Sequence, residues 1–375
     1  MSTSGIIFAN LHDSNIPEIT RCRTMASVPF ACRYRLIDFA LSNFVNSGIT
    51  DVNIITNQNY QSLMDHIGSG KDWDLARRSG GIKILPPYMS AFENNGLIPR
   101  GSRLEALKSI SSVIYDMKAD NVVLIDSDSI CNIDLNDMIA QHEREGADIT
   151  IAVKRVNLTP DRSESTNVFT SDETGKVTDV LVRPKKYTGE CDIGINIMVV
   201  TKRYLHSMLQ EAISRGFTSL YLDILVKNTG KFMVYRYDNF YANMISLADY
   251  FATSMQLLGN SGERNSLFNV KNHHIYTKIR NSAPSNYCPG STVSNSMIAD
   301  GCIIEGEVEN SIIFRGVHIG AGTVVKNSIL FQDTYVGSNV SLNCVVADKD
   351  VVIRDGRVLS GHSTMPFYIE KGKMV

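Results

Sequence analysis

The hydrophobic and polar positions of this chain follow two patterns, and the change falls near residues 260–285. Before it, short apolar runs alternate with segments of helical periodicity, which predicts βαβ units and a mainly parallel sheet. Strands are predicted at 52–56, 82–85, 122–126, 149–154 and 193–200. Helices are predicted at 102–117, 135–145, 202–215 and 246–258, and a further one in RLIDFALSNFVNSG, where apolar residues recur at spacings of three and four and Gly48 ends the pattern.

After the change, small apolar residues recur at a period of six. Val340, Val346, Val352 and Val358 follow this spacing, and two further groups repeat it: Ile319, Val325 and Phe331, and Cys302, Val308 and Phe314. Such a period predicts a parallel β-helix, in which each coil buries its apolar residue against its neighbours. An ordinary antiparallel sheet with alternating residues is the alternative. The predicted organisation is a first domain at 1–258, a linker at 259–284 and a β-helix at 285–375.

Charge and cysteine content exclude several classes of protein. Lys and Arg number 37 against 39 Asp and Glu, a formal net charge of −2, so no overall positive field attracts nucleic acid or an anionic membrane. The 7 cysteines are scattered and form no CxxC pair, which argues against a disulfide framework and a zinc site. No apolar run approaches the length of a membrane span. We expect a cytoplasmic protein with no nucleic acid or membrane partner.

The loop after the first apolar run lacks the glycines that a phosphate-binding turn needs. Its residues, NLHDSNI at 10–16, all carry side chains, whereas a phosphate cradle requires close approach of backbone N–H groups and often a positive φ. Asp13 adds a negative charge that repels a triphosphate. The loop is therefore predicted to bind nucleotide poorly.

Two aspartates follow the buried run VVLID. Asp126 and Asp128 lie at the carboxyl end of this predicted strand, the edge where open α/β sheets bind their ligands. An Asp-x-Asp pair there is typical of sites that hold Mg²⁺ or Mn²⁺ against a nucleotide diphosphate. The alternative is that both residues only form a turn or cap a helix.

The segment YRLIDFALSNFVNSGI, residues 34–49, resembles the corresponding segment of glucose-1-phosphate adenylyltransferases, and the resemblance extends over essentially the whole chain. It implies an α/β nucleotidyltransferase domain on a doubly wound, mainly parallel sheet, followed by a left-handed parallel β-helix, in a tetramer. By the same resemblance, Asp128 matches the first metal-binding aspartate, and Arg23 and Arg35 match positions that bind anionic effectors. Pairing of these arginines with Asp38 or solvent is the alternative.

The chain departs from that family at several functional positions. The family's GGxGxRL loop is replaced by Asn10 to Ile16, and the Lys-Pro that follows it is replaced by Met25 and Ala26. The GTADA turn is replaced by the bulkier GSRLEA at 101–106. The lysine that holds the sugar phosphate is replaced by Arg183, and the second metal-binding aspartate by Asn243. Both substituted residues retain a vestigial capacity, since Arg183 is still a cation and Asn243 still offers an oxygen.

These losses together predict a catalytically impaired chain, because nucleotidyl transfer depends on positioning and on electrostatic stabilisation of the phosphates. The pattern resembles most closely the GlgD-type subunits of the family, which implies a regulatory role beside a catalytic ADP-glucose pyrophosphorylase subunit in a hetero-oligomer. No cofactor is then required. Mg²⁺ enters only under the alternative of an active sugar-1-phosphate nucleotidyltransferase that uses Asp128. A third reading is a DxD glycosyltransferase or a β-helix acyltransferase with His318 as base.

Overall fold

A computed structural model describes residues 1–86 and 101–375. Within these residues, 13 strands precede the repeat region: β1 (Thr3–Phe8), β2 (Pro29–Phe30), β3 (Tyr34–Arg35), β4 (Asp51–Ile55), β5 (Gly81–Leu85), β6 (Asn121–Asp126), β7 (Ile130–Cys131), β8 (Ile149–Leu158), β9 (Asn167–Ser171), β10 (Val177–Val182), β11 (Gly189–Thr201), β12 (Phe232–Arg236) and β13 (Tyr241–Ala242). Nine of them form one sheet in which β5, β4, β1 and β6 are neighbours and β11 continues the order.

This sheet is parallel from β5 to β6 and mixed beyond that point. Strand β11 runs antiparallel to β6, β8 and β9, while β12 is parallel to β8. The predicted strands are all present. Strands β8 and β11 are longer than expected, and their additional residues pair with each other. All six residues of β6 are buried, as a central strand covered on both faces requires.

The helices of the described residues are α1 (Pro17–Thr20), α2 (Leu36–Asn46), α3 (Gln61–Ile67), α4 (Arg103–Ser109), α5 (Ser111–Asp116), α6 (Leu135–Glu145), α7 (Pro160–Ser163), α8 (Lys202–Arg215), α9 (Leu247–Gly259) and α10 (Ser261–Phe268). Four predicted helices correspond to α2, α6, α8 and α9 within one residue or so. The helix predicted at 102–117 is instead two helices that meet at Ile110, whose φ of −115° and ψ of 21° leave the helical region. No helix within the described part of the chain is long and apolar enough to cross a membrane.

The repeat region is a left-handed parallel β-helix built from three five-stranded sheets. Its strands are β14 (Asn286–Tyr287), β15 (Thr292–Ser294), β16 (Met297–Ile298), β17 (Ile303–Ile304), β18 (Glu307–Glu309), β19 (Ile312–Ile313), β20 (His318–Ile319), β21 (Val324–Lys326), β22 (Ile329–Leu330), β23 (Tyr335–Val336), β24 (Ser341–Asn343), β25 (Val345–Ala347), β26 (Val352–Ile353), β27 (Val358–Ser360) and β28 (Phe367–Ile369). The period-six prediction is confirmed, and the residues that it identified are buried inside the coils with the exception of Val358 and Val352.

Stacked asparagines hold one corner of the β-helix. The side-chain amide of Asn295 donates to Asn310, which donates to Asn327, which donates to Asn343, at 2.6, 3.5 and 2.9 Å. The first three have positive φ angles of 39°, 46° and 47°, a conformation that asparagine tolerates better than most residues. The turn and the ladder therefore need the same residue type.

The two domains share a hydrophobic core. Tyr250 of α9 packs against Phe331 of the β-helix with ring centroids 6.2 Å apart, and its hydroxyl donates to the Pro29 carbonyl at 2.7 Å. Helix α10 and the segment after it lead into the first coil, and α10 was not predicted from the sequence. The β-helix therefore contacts the first domain beside the segment that carries Arg23 and Arg35.

Candidate functional site at the carboxyl ends of the central strands

Parallel pairing brings the glycine-free loop to the two aspartates. Phe8, the last residue of β1, is paired with Asp126, the last residue of β6, so the chain after each strand leaves from the same edge of the sheet. The loop at 10–16 and the turn at 126–128 consequently lie side by side. Sequence reasoning treated them as separate features.

The loop is closed by its own side chains. Asn10 accepts hydrogen bonds from the Thr56 hydroxyl at 2.7 Å and the Asn57 N–H at 2.8 Å, and its amide donates to Asp13 at 2.6 Å. Asp13 accepts from the Met25 N–H at 2.7 Å. Its burial raises the pKa of Asp13 to about 6, although these two bonds act in the opposite direction. The side chains of Asn10 and Asp13 are therefore used to hold the loop together.

His12 extends from this loop to the aspartates. Its Nε2 lies 2.8 Å from Asp126 Oδ2 and 3.9 Å from Asp128 Oδ1, and both carboxylates are 1% exposed. Burial alone would lower the pKa of His12, but Asp128 and the hydrogen bond to Asp126 raise it above its ordinary value. The carboxylates therefore favour the protonated form of the imidazole.

Arg103 supplies a second cation. It is the first residue of α4, after Ser102, whose hydroxyl accepts from the Glu105 N–H at 3.1 Å as an N-cap. Arg103 Nε donates to Asp126 Oδ1 at 2.8 Å, and Nη2 donates to the other oxygen of the same carboxylate. Its guanidinium also stacks 5.2 Å from the ring centre of Tyr221 and donates to the Tyr221 hydroxyl at 3.1 Å. A bidentate pair of this kind has the strongest geometry available to arginine and a carboxylate.

The charges in this buried group compensate one another. Burial would raise the pKa of Asp126, but Arg103 and His12 outweigh burial and lower it. Burial alone would lower the pKa of Arg103. The charge of Asp126 outweighs burial, and the pKa of Arg103 is raised. For Asp128, burial dominates and raises the pKa, with repulsion from Asp126 adding to it and His12 opposing it. Asp126 is thus ionised and fully paired.

The residues present do not fit a magnesium ion well. Oxygen and nitrogen atoms of His12, Asp126 and Asp128 lie within 4.8 Å of one another, and Asp128 Oδ1 is buried with no hydrogen-bond partner among the described residues. Mg²⁺, however, is held by free carboxylate oxygens and retains several waters. Both oxygens of Asp126 are already taken by Arg103 and His12, and these cations occupy the electrostatic place of a divalent ion.

The other two predicted site residues flank this group. Asn243 follows Ala242, which is paired with Ile130 two residues beyond Asp128, so the antiparallel register carries Asn243 back toward Asp128. Arg183 follows β10, is exposed and has a positive φ of 47°. Burial raises the pKa of Tyr221, and the charge of Arg183 opposes that increase. The register thus places Asn243 near the Asp128 turn, while Arg183 acts electrostatically on Tyr221.

The predicted effector residues lie elsewhere, at the contact between the domains. Arg23 is 2% exposed, and its Nη2 donates to Asp348 of the β-helix at 2.8 Å. The Tyr368 hydroxyl donates to the other oxygen of Asp348 at 2.7 Å. The alternative pairing of Arg23 with Asp38 or solvent is wrong: Arg23 is a buried ion-pair partner that crosses the domain boundary. Its second terminal nitrogen, Nη1, has no partner among the described residues.

Arg35 lies close by and does not use its guanidinium on Asp38 either. Its Nη1 donates to the Ser62 carbonyl at 2.5 Å and hydroxyl at 2.9 Å, while its backbone N–H donates to Asp38. Lys349 and Arg280 are further cations of this cluster, which we call the junction cluster: Arg23, Arg35, Arg280 and Lys349. Sequence reasoning identified Arg23 and Arg35 by resemblance but missed Arg280, Lys349 and the nearby Asp348.

His318 does not show the surroundings of a general base. It stacks on Tyr335 with ring centres 4.9 Å apart and lies 3.8 Å from Glu305. Its side chain is 27% exposed, and its Nδ1 is buried with no hydrogen-bond partner among the described residues.

Comparison with known proteins accounts for the two halves of the chain. Residues 14–230 match the nucleotidyl transferase family model, and residues 284–363 match the model of the GlmU-like C-terminal hexapeptide. The chain is 32% identical over 370 residues to the glycogen biosynthesis protein GlgD of Bacillus subtilis (strain 168), covering 98% of this chain and 95% of that protein. It belongs to the glucose-1-phosphate adenylyltransferase family.

Other family members cover much of the same length. The chain is 30% identical over 331 residues to glucose-1-phosphate adenylyltransferase of Thermotoga sp. (strain RQ2), which covers 87% of this chain and 76% of that enzyme. It is 27% identical over 359 residues to the enzyme of Bacillus cereus (strain ATCC 10987 / NRS 248), covering 95% and 94%.

Within this family, the most informative substitution is Arg103. The sequence showed GSRLEA as bulkier than the family's turn, but it did not show where the extra side chain goes. The signal was a cation in place of a small residue, opposite an Asp-x-Asp turn. A pairing between them could have been proposed from charge alone.

Proposed function

We propose that this chain is a regulatory, catalytically impaired subunit of glucose-1-phosphate adenylyltransferase, the enzyme that makes ADP-glucose and pyrophosphate from ATP and glucose 1-phosphate in glycogen biosynthesis. One observation carries the proposal: the bidentate pair of Arg103 and Asp126, joined by His12. It fills the carboxyl edge of the central strands, where the fold places its ligands.

The physical reason is competition for the same carboxylate. A nucleotide with its metal needs free acidic oxygens and N–H groups that face the phosphates. Here the carboxylate of Asp126 already holds two internal cations, and the loop's polar groups bond to each other. Binding of substrate would have to break a buried ion pair, which typically costs several kcal/mol.

The regulatory part of the proposal has two components. The chain assembles with a catalytic ADP-glucose pyrophosphorylase subunit, in a tetramer by family resemblance, and alters its activity through contacts that differ between the partner's states. An anionic metabolite binds at the junction cluster around Arg23 and Arg35 and shifts that balance. An excess of guanidinium groups at a domain boundary favours a phosphate-bearing ligand.

Kinetic assays test both components. The purified chain with ATP, glucose 1-phosphate and Mg²⁺ is expected to release no pyrophosphate above background. Mixed with a catalytically intact family member from the same cell, it is expected to change turnover or effector response. Unchanged kinetics in a complex verified by size-exclusion chromatography would refute the regulatory role.

A second candidate function is an active sugar-1-phosphate nucleotidyltransferase. The unpartnered Oδ1 of Asp128 favours this function, because a buried carboxylate oxygen without a hydrogen-bond partner is stabilised when it coordinates a metal ion. Under this alternative the chain alone releases pyrophosphate when Mg²⁺ is present, and Asp128→Asn abolishes that activity. The Arg103–Asp126 pair would then have to open during each turnover.

A further inference from the structure

The junction cluster contains one lysine, Lys349, beside three arginines. Lys349 lies half-buried in the turn between β25 and β26, and the charges that act on it most strongly are those of Arg35 and Arg23, followed by the opposing carboxylate of Asp348 and by Arg280. Arg33, Arg315 and His66 complete the charged lining of the cleft. Four cations of the cluster therefore face one nearby acid.

That acid and the other carboxylates at the cleft are already committed. Asp348 accepts from Arg23, Tyr368 and the Lys349 backbone N–H. Asp38 is bonded to His66 at 2.6 Å, and Asp300 to Arg315 at 2.9 Å. Within the described residues, Arg23 Nη1 has no hydrogen-bond partner, and of these three carboxylates only Asp300 keeps a buried oxygen without one, its Oδ2. The partly buried cleft at the junction cluster therefore keeps a net positive charge.

This excess of positive charge affects Lys349, the member of the cluster that can lose its charge near neutral pH. Burial and the charges of Arg35 and Arg23 lower the pKa of Lys349 to about 7, against the opposing effect of Asp348. Arginines stay charged throughout the physiological range. The cleft therefore relieves its repulsion by releasing a proton from Lys349.

We infer that an anion bound at the junction cluster is taken up together with a proton, which Lys349 accepts. The inference rests on the anion site of the proposed function and deepens it. A bound dianion neutralises the neighbouring arginines and gives the ammonium a partner, so the charged form becomes the stable one. By linkage, affinity is greatest below about pH 7 and falls by up to about tenfold for each pH unit above it.

The remaining titratable groups around the cleft do not act in this range. Burial lowers the pKa of His66 from its ordinary value, despite Asp38, so its neutral form persists above neutral pH. Burial raises the pKa of Cys32 to about 12 and also raises that of Tyr34, which keeps both neutral. Tyr368, which contacts Asp348, likewise has a raised pKa from burial.

Entry of an anion requires side-chain movement. The cavity between the lining side chains is about 30 Å³, room for one or two water molecules. Arg33 and Arg280 are exposed, so they can swing toward solvent without breaking a buried contact. Lys349 is held less rigidly than Arg23 because the described residues include no hydrogen-bond acceptor for its amine.

Sulfate is the sharpest probe, because it remains a dianion at neutral pH and adds no proton exchange of its own. Titration calorimetry of the full chain with sulfate, repeated in two buffers of different ionisation enthalpy, measures protons per anion bound. We expect uptake of nearly one proton per sulfate at about pH 8 and little at about pH 6. Lys349→Arg is expected to bind sulfate with no uptake and with a flat pH dependence.

Two outcomes separate this inference from the function on which it rests. Sulfate binding without proton uptake, or uptake that persists in Lys349→Arg, overturns the inference and leaves the anion site standing. Absence of sulfate and phosphate binding at every pH overturns both. Lys326→Met is the matched control, since Lys326 is an exposed β-helix lysine paired with Glu307 and Glu309; it should behave as the unmodified chain.

Discussion

The two charged regions of this protein differ in how their charges are balanced. At the carboxyl ends of the central strands, Asp126 is matched by Arg103 and His12. At the junction cluster, cations outnumber the acid that faces them, and burial together with the neighbouring arginines lowers the pKa of Lys349. One region is electrostatically closed, and the other is electrostatically open, with an excess of positive charge.

This difference teaches that the placement of a few side chains decides whether a charged cluster is balanced internally or keeps an excess of one charge. The backbone that brings β1 and β6 together is retained, and the edge of the sheet where ligands are expected is still formed. At that edge the protein's own cations, Arg103 and His12, contact Asp126. Four predictions test the comparison.

The largest effect is expected at the closed region. Arg103→Ala leaves the Asp126 carboxylate buried with only His12 as cationic partner, which should cost about 3–5 kcal/mol of the free energy of unfolding. Urea unfolding followed by circular dichroism measures it. Mg²⁺ should stabilise this variant more than the unmodified chain, because the vacated carboxylate oxygens become available to a cation.

Arg155→Ala is the control for this prediction. Arg155 also forms a two-point contact with an aspartate, Asp192, but it is 50% exposed and Arg236 lies 3.7 Å from the same carboxylate. Its loss should cost less than about 1 kcal/mol. Equal effects of the two substitutions would contradict the view that Arg103 balances a buried charge.

A somewhat smaller effect is expected for Arg23→Ala, about 3 kcal/mol, because Asp348 keeps its bond from Tyr368 after the buried ion pair is lost. The neighbouring ion pair Arg21–Glu370 also joins the two domains, but its side chains are 75% and 50% exposed. Arg21→Ala should therefore change unfolding by less than about 1 kcal/mol. Thermal unfolding of both variants distinguishes a buried connection from a surface contact, and a similar loss in each would contradict the assignment.

The third prediction concerns pH and the open region. The pKa of Lys349 is lowered to about 7 in the folded chain from an ordinary 10.5, so the unfolded chain binds more protons between these values. Stability should rise with pH across that window. Lys349→Met should be more stable than the unmodified chain at pH 7 and below, on the order of 2 kcal/mol, with the gap closing toward about pH 10. A gap that stays constant across this range would refute the titration of Lys349.

The smallest effect is expected for His12→Gln. The pKa of His12 is raised, so its charged form adds stability that is fully present below its ordinary pKa and lost as pH rises through the raised value. The substitution should cost about 1 kcal/mol near pH 6 and progressively less in more alkaline buffer. Urea unfolding at a series of pH values gives the profile; a cost that grows with pH would contradict the pairing of His12 with the aspartates.

Local sequence patterns determined the elements of this protein. The spacing of three and four in the segment of α2 and the period of six in the β-helix each reflect which side chains share a face, and that relation is fixed by backbone geometry over a few residues. The glycine-free loop was also readable, since a phosphate cradle depends on residues adjacent in sequence. The break at Ile110 was missed because two consecutive helices keep nearly the same periodicity as one.

Only the tertiary structure decided which charges meet. Arg103 and Asp126 are 23 residues apart, and Arg23 and Asp348 are 325 apart. Whether an arginine binds a ligand, a neighbour or solvent depends on distances and burial set by packing of the whole chain, because the strength of an ion pair changes several-fold with its exposure. Lys349 illustrates this most clearly: its residue type is ordinary, and its pKa is lowered because packing of the two domains buries it and places Arg35, Arg23 and Arg280 beside it.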